Sequence, residues 1–348
     1  MTRLLLLLLL CADAFAQWQP LPGPTKESLR GLSVSDQNIV WASGTHGTYL
    51  VSTDGGDTWT AGKVPGAETL DFRGVVSFGP EAYLLAAGPG EQSRIYHTRH
   101  LGESWQLQFT NREPRGFFDC MAFFDARHGI VVGDPVDGKF QILRTSDGGT
   151  TWQYADPRKM PPAVNGEGAF AASNSCLATA GRENVWFATG GTVARVFRSR
   201  DGGESWGVSA TPIVHGEPST GIFSVAFHDA KHGVIAGGDY RHPERGGANL
   251  AATADGGKTW KLVPLAPQRF FSAVAYISPD AVVVVGSSVS AVSNDGLRTW
   301  RFFLPTGFNA VALKSGQGVI YAAGANGGLA KAALGSCEGP CDGNAGLR

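Results

Sequence analysis

Four arginines stand in matching contexts along the chain: Arg30 in Leu-Arg-Gly, Arg73 in Phe-Arg-Gly, Arg115 in Pro-Arg-Gly and Arg269 in Gln-Arg-Phe. Guanidiniums gathered at one place would bind a carboxylate, a phosphate or an acidic protein segment through paired N–H donors. Each could equally pair with a carboxylate nearby, such as Asp71, Asp119 or Glu167, and serve only packing. A second set is acidic and aromatic. Asp119, Asp134, Glu167 and Asp239, with Tyr240, are the residue types used in acid–base and nucleophilic catalysis. Arg195 and His242 share the same polar stretches, at 133–139, 190–195 and 237–245, while 162–173 carries Glu167. Such residues could line a cleft or could simply cap the fold.

What must position them is a repeated turn. SRDGGESW at 199–206 recurs as STDGGDTW (52–59), TSDGGTTW (145–152), TADGGKTW (253–260) and SNDGLRTW (293–300), with a worn copy, TRHLGESW, at 98–105. Each reads as a tight hairpin. The carboxylate (Asp54, Asp147, Asp201, Asp255, Asp295) can accept the turn's own N–H groups. Glycines supply the left-handed backbone that a Cβ disfavours. The indole that follows (Trp59, Trp105, Trp152, Trp206, Trp260, Trp300) anchors the next strand by burying a large apolar area. The pattern resembles the Asp-box (BNR) repeat, in which the aspartates are structural.

Upstream of each box lie two apolar strands, the second ending near glycine (Gly44, Gly88, Gly133, Gly190, Gly237, Gly286). The box position advances from 54 to 100, 147, 201, 255 and 295, a period that fits a four-stranded propeller blade. A seventh unit without a box covers 308–334 and lacks a fourth strand. Residues 17–22 resemble 259–264, an outer strand without partners, and are expected to complete the last blade. The fold class is therefore all-β, a seven-bladed β-propeller of Asp-box hairpins closed by the N-terminal strand. It is expected to span 17–335, with pockets on the face opposite the boxes.

Residues 1–16 have the form of a signal peptide: Arg3, seven leucines, and Ala14-x-Ala16 before the cleavage point. Export to the periplasm or the cell exterior is expected. Lipid attachment at Cys11 is the lesser alternative, since Leu10 occupies a place that wants a small residue. No later stretch is long and apolar enough for a membrane helix. The tail, 336–348, is expected to be flexible, and its Cys337 and Cys341 could close a small disulfide loop. Cys120 and Cys176, on corresponding strands, are expected to be buried free thiols. With 29 basic and 30 acidic residues the chain lacks the charge to hold nucleic acid by bulk electrostatics. No dinucleotide fingerprint opens a helix, and no Cys-x-x-Cys or haem motif occurs. No cofactor and no metal site are expected, and a monomer is.

Beyond the boxes, Trp41-Ala-Ser-Gly, Gly133-Asp-Pro, GEGAFAAS at 166–173 and Gly237-Gly-Asp-Tyr resemble the photosystem II stability/assembly factor family. The likeness is to its secreted bacterial branch, often labelled "oxidoreductase". The resemblance implies a non-catalytic lumenal or periplasmic factor that binds a protein or peptide partner, an assembling membrane protein, through an arginine patch. By position that patch would be Arg30, Arg73, Arg115 and Arg269. The competing reading is a glycoside hydrolase, because sialidases and glucan-degrading enzymes also carry Asp boxes. Such an enzyme would draw on Glu167, Asp134, Asp119, Asp239 and Tyr240, with two carboxyls about 5–5.5 Å apart for retention or about 6.5–9.5 Å for inversion. The Arg-Ile-Pro entry of sialidases is absent.

Overall fold

The computed structural model describes residues 17–35, 38–304, 307–314 and 318–333. The expected signal peptide with Cys11, residues 336–348 with Cys337 and Cys341, and the expected domain end at 335 lie outside them. The described chain is a seven-bladed β-propeller. Its first strands are Leu29–Val34, Phe72–Phe78, Phe118–Phe123, Leu177–Ala180, Thr220–Phe227, Ala273–Ser278 and Phe308–Lys314. Each neighbours the next around the ring, and that of blade 7 returns to that of blade 1. Blade 1 shows the plan, with Val40–Gly44, Thr48–Ser52 and Thr60–Lys63 following as antiparallel neighbours. In blade 7 the outer strand is Gln19–Leu21, paired with Leu329–Ala333. Among the described residues no helix is long and apolar enough to cross a membrane.

The middle strands are buried on both faces, so they read as unbroken apolar runs. Side chains alternate between the two neighbouring blades. In blade 2, Ala82, Leu84 and Ala86 face blade 1, while Tyr83 and Leu85 face blade 3. The apolar core is accordingly divided into seven clusters, one at each seam between blades.

The boxes are closed hydrogen-bond units. Ser52 Oγ donates to Asp54 Oδ1 (2.8 Å) and accepts from Gly56 N (2.8 Å). Thr58 N donates to Asp54 Oδ1 (2.9 Å), and its hydroxyl donates to Oδ2. The other four aspartate boxes repeat this carboxylate pattern. These bonds, led by those from Thr58 and Thr299, hold the carboxyls of Asp54 and Asp295 down at about 2. Each turn also reaches the first-to-second turn of its own blade, as in Gly148 N to Arg127 O (2.9 Å) and Gly256 N to Lys231 O (2.8 Å). Both sets of turns therefore share one face, and the remaining loops form the other.

Cys120 and Cys176 depart from the expectation of free thiols. They form a disulfide, Cα to Cα 6.0 Å, across the seam between blades 3 and 4. Cys120 on blade 3's inner strand and Cys176, immediately before blade 4's, bring two fully buried sulfurs together.

Candidate functional site

On the loop face the entry into blade 4 leaves the blade pattern. Arg30 Nη1 of blade 1 donates to Ala172 O (3.5 Å), and Arg73 Nη1 of blade 2 to Ala171 O (3.0 Å). Ala169 N donates to Asp134 Oδ1 of blade 3 (3.0 Å), and Asn174 bonds both N and O of Met121. Val225 N of blade 5 donates to Ser175 O (2.8 Å), and Ser173 Oγ donates to Ser272 O at the start of blade 6 (3.0 Å). Only a path across the central channel reaches five other blades within seven residues. Small side chains make that path passable, and residues 169–175 act as a plug.

Its approach is pinned by a short ladder. Glu167–Gly168 pairs with Gly190–Gly191, and Gly190 pairs with Gly221 of blade 5's inner strand. A Cβ on Gly190 would lie 2.2 Å from Phe170 Cε2 and 2.7 Å from Thr220 O, so glycine is required there.

The arginines are placed by these contacts. Arg30 and Arg73 sit side by side on the plug, and burial, then the charge of Arg73, lowers the Arg30 pKa. Arg73 also donates to Asp71 (2.7 Å), whereas Arg30 Nε is buried with no partner among the described residues. Arg115 is exposed and bonds Glu113 (3.1 Å) and, with both terminal nitrogens, Asp137 (2.9 and 3.1 Å). Arg269 pairs with Glu244 (2.9 Å). The four are therefore split into a channel pair and two loop residues, with three of them facing carboxylates.

The four acidic residues are held in different ways. Glu167 has a fully buried carboxylate that accepts Thr189 Oγ1 (2.6 Å), Val164 N (2.8 Å) and both Nε (2.9 Å) and Nη2 of Arg195. Asp239 closes its own loop by accepting Arg241 N (3.0 Å) and His242 Nδ1 (2.8 Å). Burial opposes its charge, but the bonds from His242 and Ser219 outweigh this and lower its pKa. Asp119 is 1% exposed, and burial first, then the charge of Asp134, pushes its carboxyl well above the usual range. Asp134 alone combines a raised carboxyl with a place on a cleft wall; burial pushes it up to about 6 against the bond from Ala169.

That cleft encloses about 700 Å³, and Arg115, Asp134, Val164, Phe170, Gly190 and Pro218 are on its wall. Phe170 stacks on Phe223 (4.0 Å, 4°), which also meets Phe270 and the half-exposed Tyr240. Sequence reasoning missed the plug. Its signal was the interval from Asp147 to Asp201, longer than the two before it and marked by the small residues of 169–175.

Asp134 carries a pH prediction. Its folded carboxyl is raised above the unfolded value, so between about pH 4 and 6 the folded chain binds more protons. Stability from this group is present at low pH and is lost as pH rises through that window. Asp134→Asn, which keeps an acceptor for Ala169 N, is expected to gain on the order of 2–3 kcal/mol at pH 7.5 and nothing near pH 3.5. Urea unfolding at the two pH values measures the difference.

No family model matches the chain. Over 270 residues it is 26% identical to the photosystem II assembly lipoprotein Ycf48 of Synechococcus sp. (strain CC9902), covering 74% of this chain and 69% of that protein. It is similar to a solved structure of YCF48 bound to D1 peptide, with TM-score 0.69, 18% identity, and 92% and 97% of the two chains covered. YCF48 from Cyanidioschyzon merolae gives TM-score 0.66 at 19% identity, covering 91% and 99%, and the structure of U3-55K gives 0.64 at 14%, covering 91% and 98%. The solved structures share the propeller fold. The chain is a seven-bladed propeller similar in sequence to Ycf48.

Proposed function

We propose that the chain is an exported, non-catalytic scaffold that captures a protein or peptide segment on its loop face. The observation that carries this reading is the cleft beside the plug, walled by backbone, by Val164 and Phe170, and by Arg115 at its edge. Extended segments suit such a surface, because apolar side chains find Phe170 while an acidic group can take the place of the exposed Asp137 on the Arg115 guanidinium. Arg30 and Arg73 hold the plug that forms the floor, and Arg269 adds cationic character to the loops. The likeness to an assembly lipoprotein favours an incompletely assembled membrane protein as the partner. A hydrolase reading is weakened by Glu167 and Asp239, whose oxygens are already bonded, and by the inaccessibility of Asp119.

Peptides selected from a random displayed library on the intact protein provide the test. Acidic sequences are expected to be enriched, and Arg115→Ala with Arg269→Ala should weaken their binding by about tenfold and flatten its salt dependence. Selected peptides that bind wild type and the double variant alike would count against the arginine edge. Arg30 and Arg73 are left intact because their loss would disturb the plug itself.

A further inference from the structure

On the opposite face, the first-to-second turn of blade 5 reads Phe227-His228-Asp229-Ala-Lys231-His232-Gly233, and that of blade 3 reads Phe123-Phe124-Asp125-Ala-Arg127-His128-Gly129. The two turns are built alike. Asp125 Oδ1 accepts Arg127 N (2.8 Å) and His128 N (2.9 Å), and Phe124 N donates to His128 O (2.8 Å). Asp229 Oδ1 accepts Lys231 N (2.7 Å) and His232 N (2.6 Å), and His228 N donates to His232 O (3.2 Å). The Asp–His pair is thus the turn's own fastening in both blades. What blade 5 adds is a second imidazole, His228, where blade 3 has phenylalanine.

That substitution changes the chemistry of the turn. With Asp229 Oδ1 committed to the backbone, Oδ2 lies 2.8 Å from His232 Nδ1 and 3.7 Å from His228 Nδ1. The three ligand atoms all fall within 4.8 Å of one another. A tetrahedral ion with bonds of about 2.0–2.2 Å needs its ligands roughly 3.4 Å apart, and the two observed separations bracket that value. The supports are stiff. Tyr276 of blade 6 packs edge-on against His228 (4.9 Å), and Gly256 N of the box holds Lys231 O. The imidazole rings lie parallel (4°, centroids 5.3 Å), so the solvent-facing His232 ring must turn about its Cβ–Cγ bond to bring its lone pair onto a shared ion.

We propose that His228, Asp229 and His232 form a binding site for one borderline divalent cation of the zinc class. Two imidazoles and one carboxylate select such an ion over calcium or magnesium, which require oxygen ligands. Binding replaces the hydrogen bond from His232 Nδ1 to Asp229. The neutral ring carries its proton on Nε2 instead, so that the Nδ1 lone pair meets the metal, and water completes the coordination. The sequence reading, which expected no metal site, passed over this turn.

The test is titration of the intact protein with zinc chloride, read by calorimetry and by the imidazole NMR signals. Wild type is expected to take up one zinc at this turn, with the His228 and His232 resonances moving together and calcium without effect. His228→Phe, which rewrites the turn as blade 3 already carries it, should lower the affinity more than about tenfold. Phe124→His should create a second site in blade 3. Unchanged zinc binding by His228→Phe, or imidazole signals that ignore zinc, overturns the assignment.

Discussion

Trp18→Ala is expected to lower the unfolding free energy by about 3–5 kcal/mol, the usual cost of emptying a large aromatic site. Trp18 is 3% exposed and lies against Phe303 (5.4 Å) and Phe308 (5.2 Å), in the core between blades 6 and 7. It also leads directly into Gln19–Leu21, whose register is Gln19 with Lys331, Pro20 with Ala330 and Leu21 with Leu329. Losing the anchor frees that strand and leaves Leu329–Ala333 as an open edge. Blade 7 must also hold blade 1, through Tyr321 Oη to Gly55 O (2.9 Å) and the Lys331–Asp57 ion pair, so the weakening spreads to the ring's closing seam. Trp18→Phe should lose much less. It keeps most of the ring contact and removes an indole N–H that is buried with no partner among the described residues. Deleting 17–22 outright should exceed both. Denaturant midpoints for the three variants test the ranking, and a midpoint unmoved by Trp18→Ala would mean that the ring closes without this strand.

The propeller was legible because its determinants are local and repeated. A box such as STDGGDTW names its own turn, since the hydroxyl, the carboxylate and the glycines satisfy one another within eight residues. Apolar runs between boxes then follow from strands covered on both faces. The Cys120–Cys176 bond was not legible in the same way. Pattern placed the two sulfurs on corresponding strands, but whether facing atoms meet depends on how closely two blades approach.

The loop face was harder to read because its bonds run from side chains to distant backbone. The acceptors of Arg30 and Arg73 are carbonyls of Ala172 and Ala171, 142 and 98 residues away. Nothing in the identity of an alanine announces that its carbonyl will meet a guanidinium. Arg115 and Arg269 found carboxylates in loops, at Asp137 and Glu244, that repeat spacing does not locate. The separation of the four arginines thus reflects an inserted segment that occupies the place where they were expected to converge.

The second large effect concerns that segment's approach. Arg195→Met is expected to cost about 3–5 kcal/mol, because it strands the Glu167 carboxylate, 0% exposed, without its cation. Thr189 Oγ1 and Val164 N would still donate to the carboxylate, but two guanidinium bonds, and a third from Arg195 Nη2 to Pro162 O (2.9 Å), would be gone. Removing both charges as Arg195→Met with Glu167→Met should be far milder, since an apolar pair of similar volume can replace a buried ion pair at little cost. The two outcomes separate the pair's contribution to the fold from any contribution to binding. Residues 163–168 form one wall of the cleft, so the single variant should lose selected peptides as the wall loosens. A stable double variant that regains them assigns Arg195 and Glu167 to building the cleft, whereas a stable double variant that stays inert assigns them to touching the peptide. Unfolding curves and peptide titrations on the same three proteins decide between these roles.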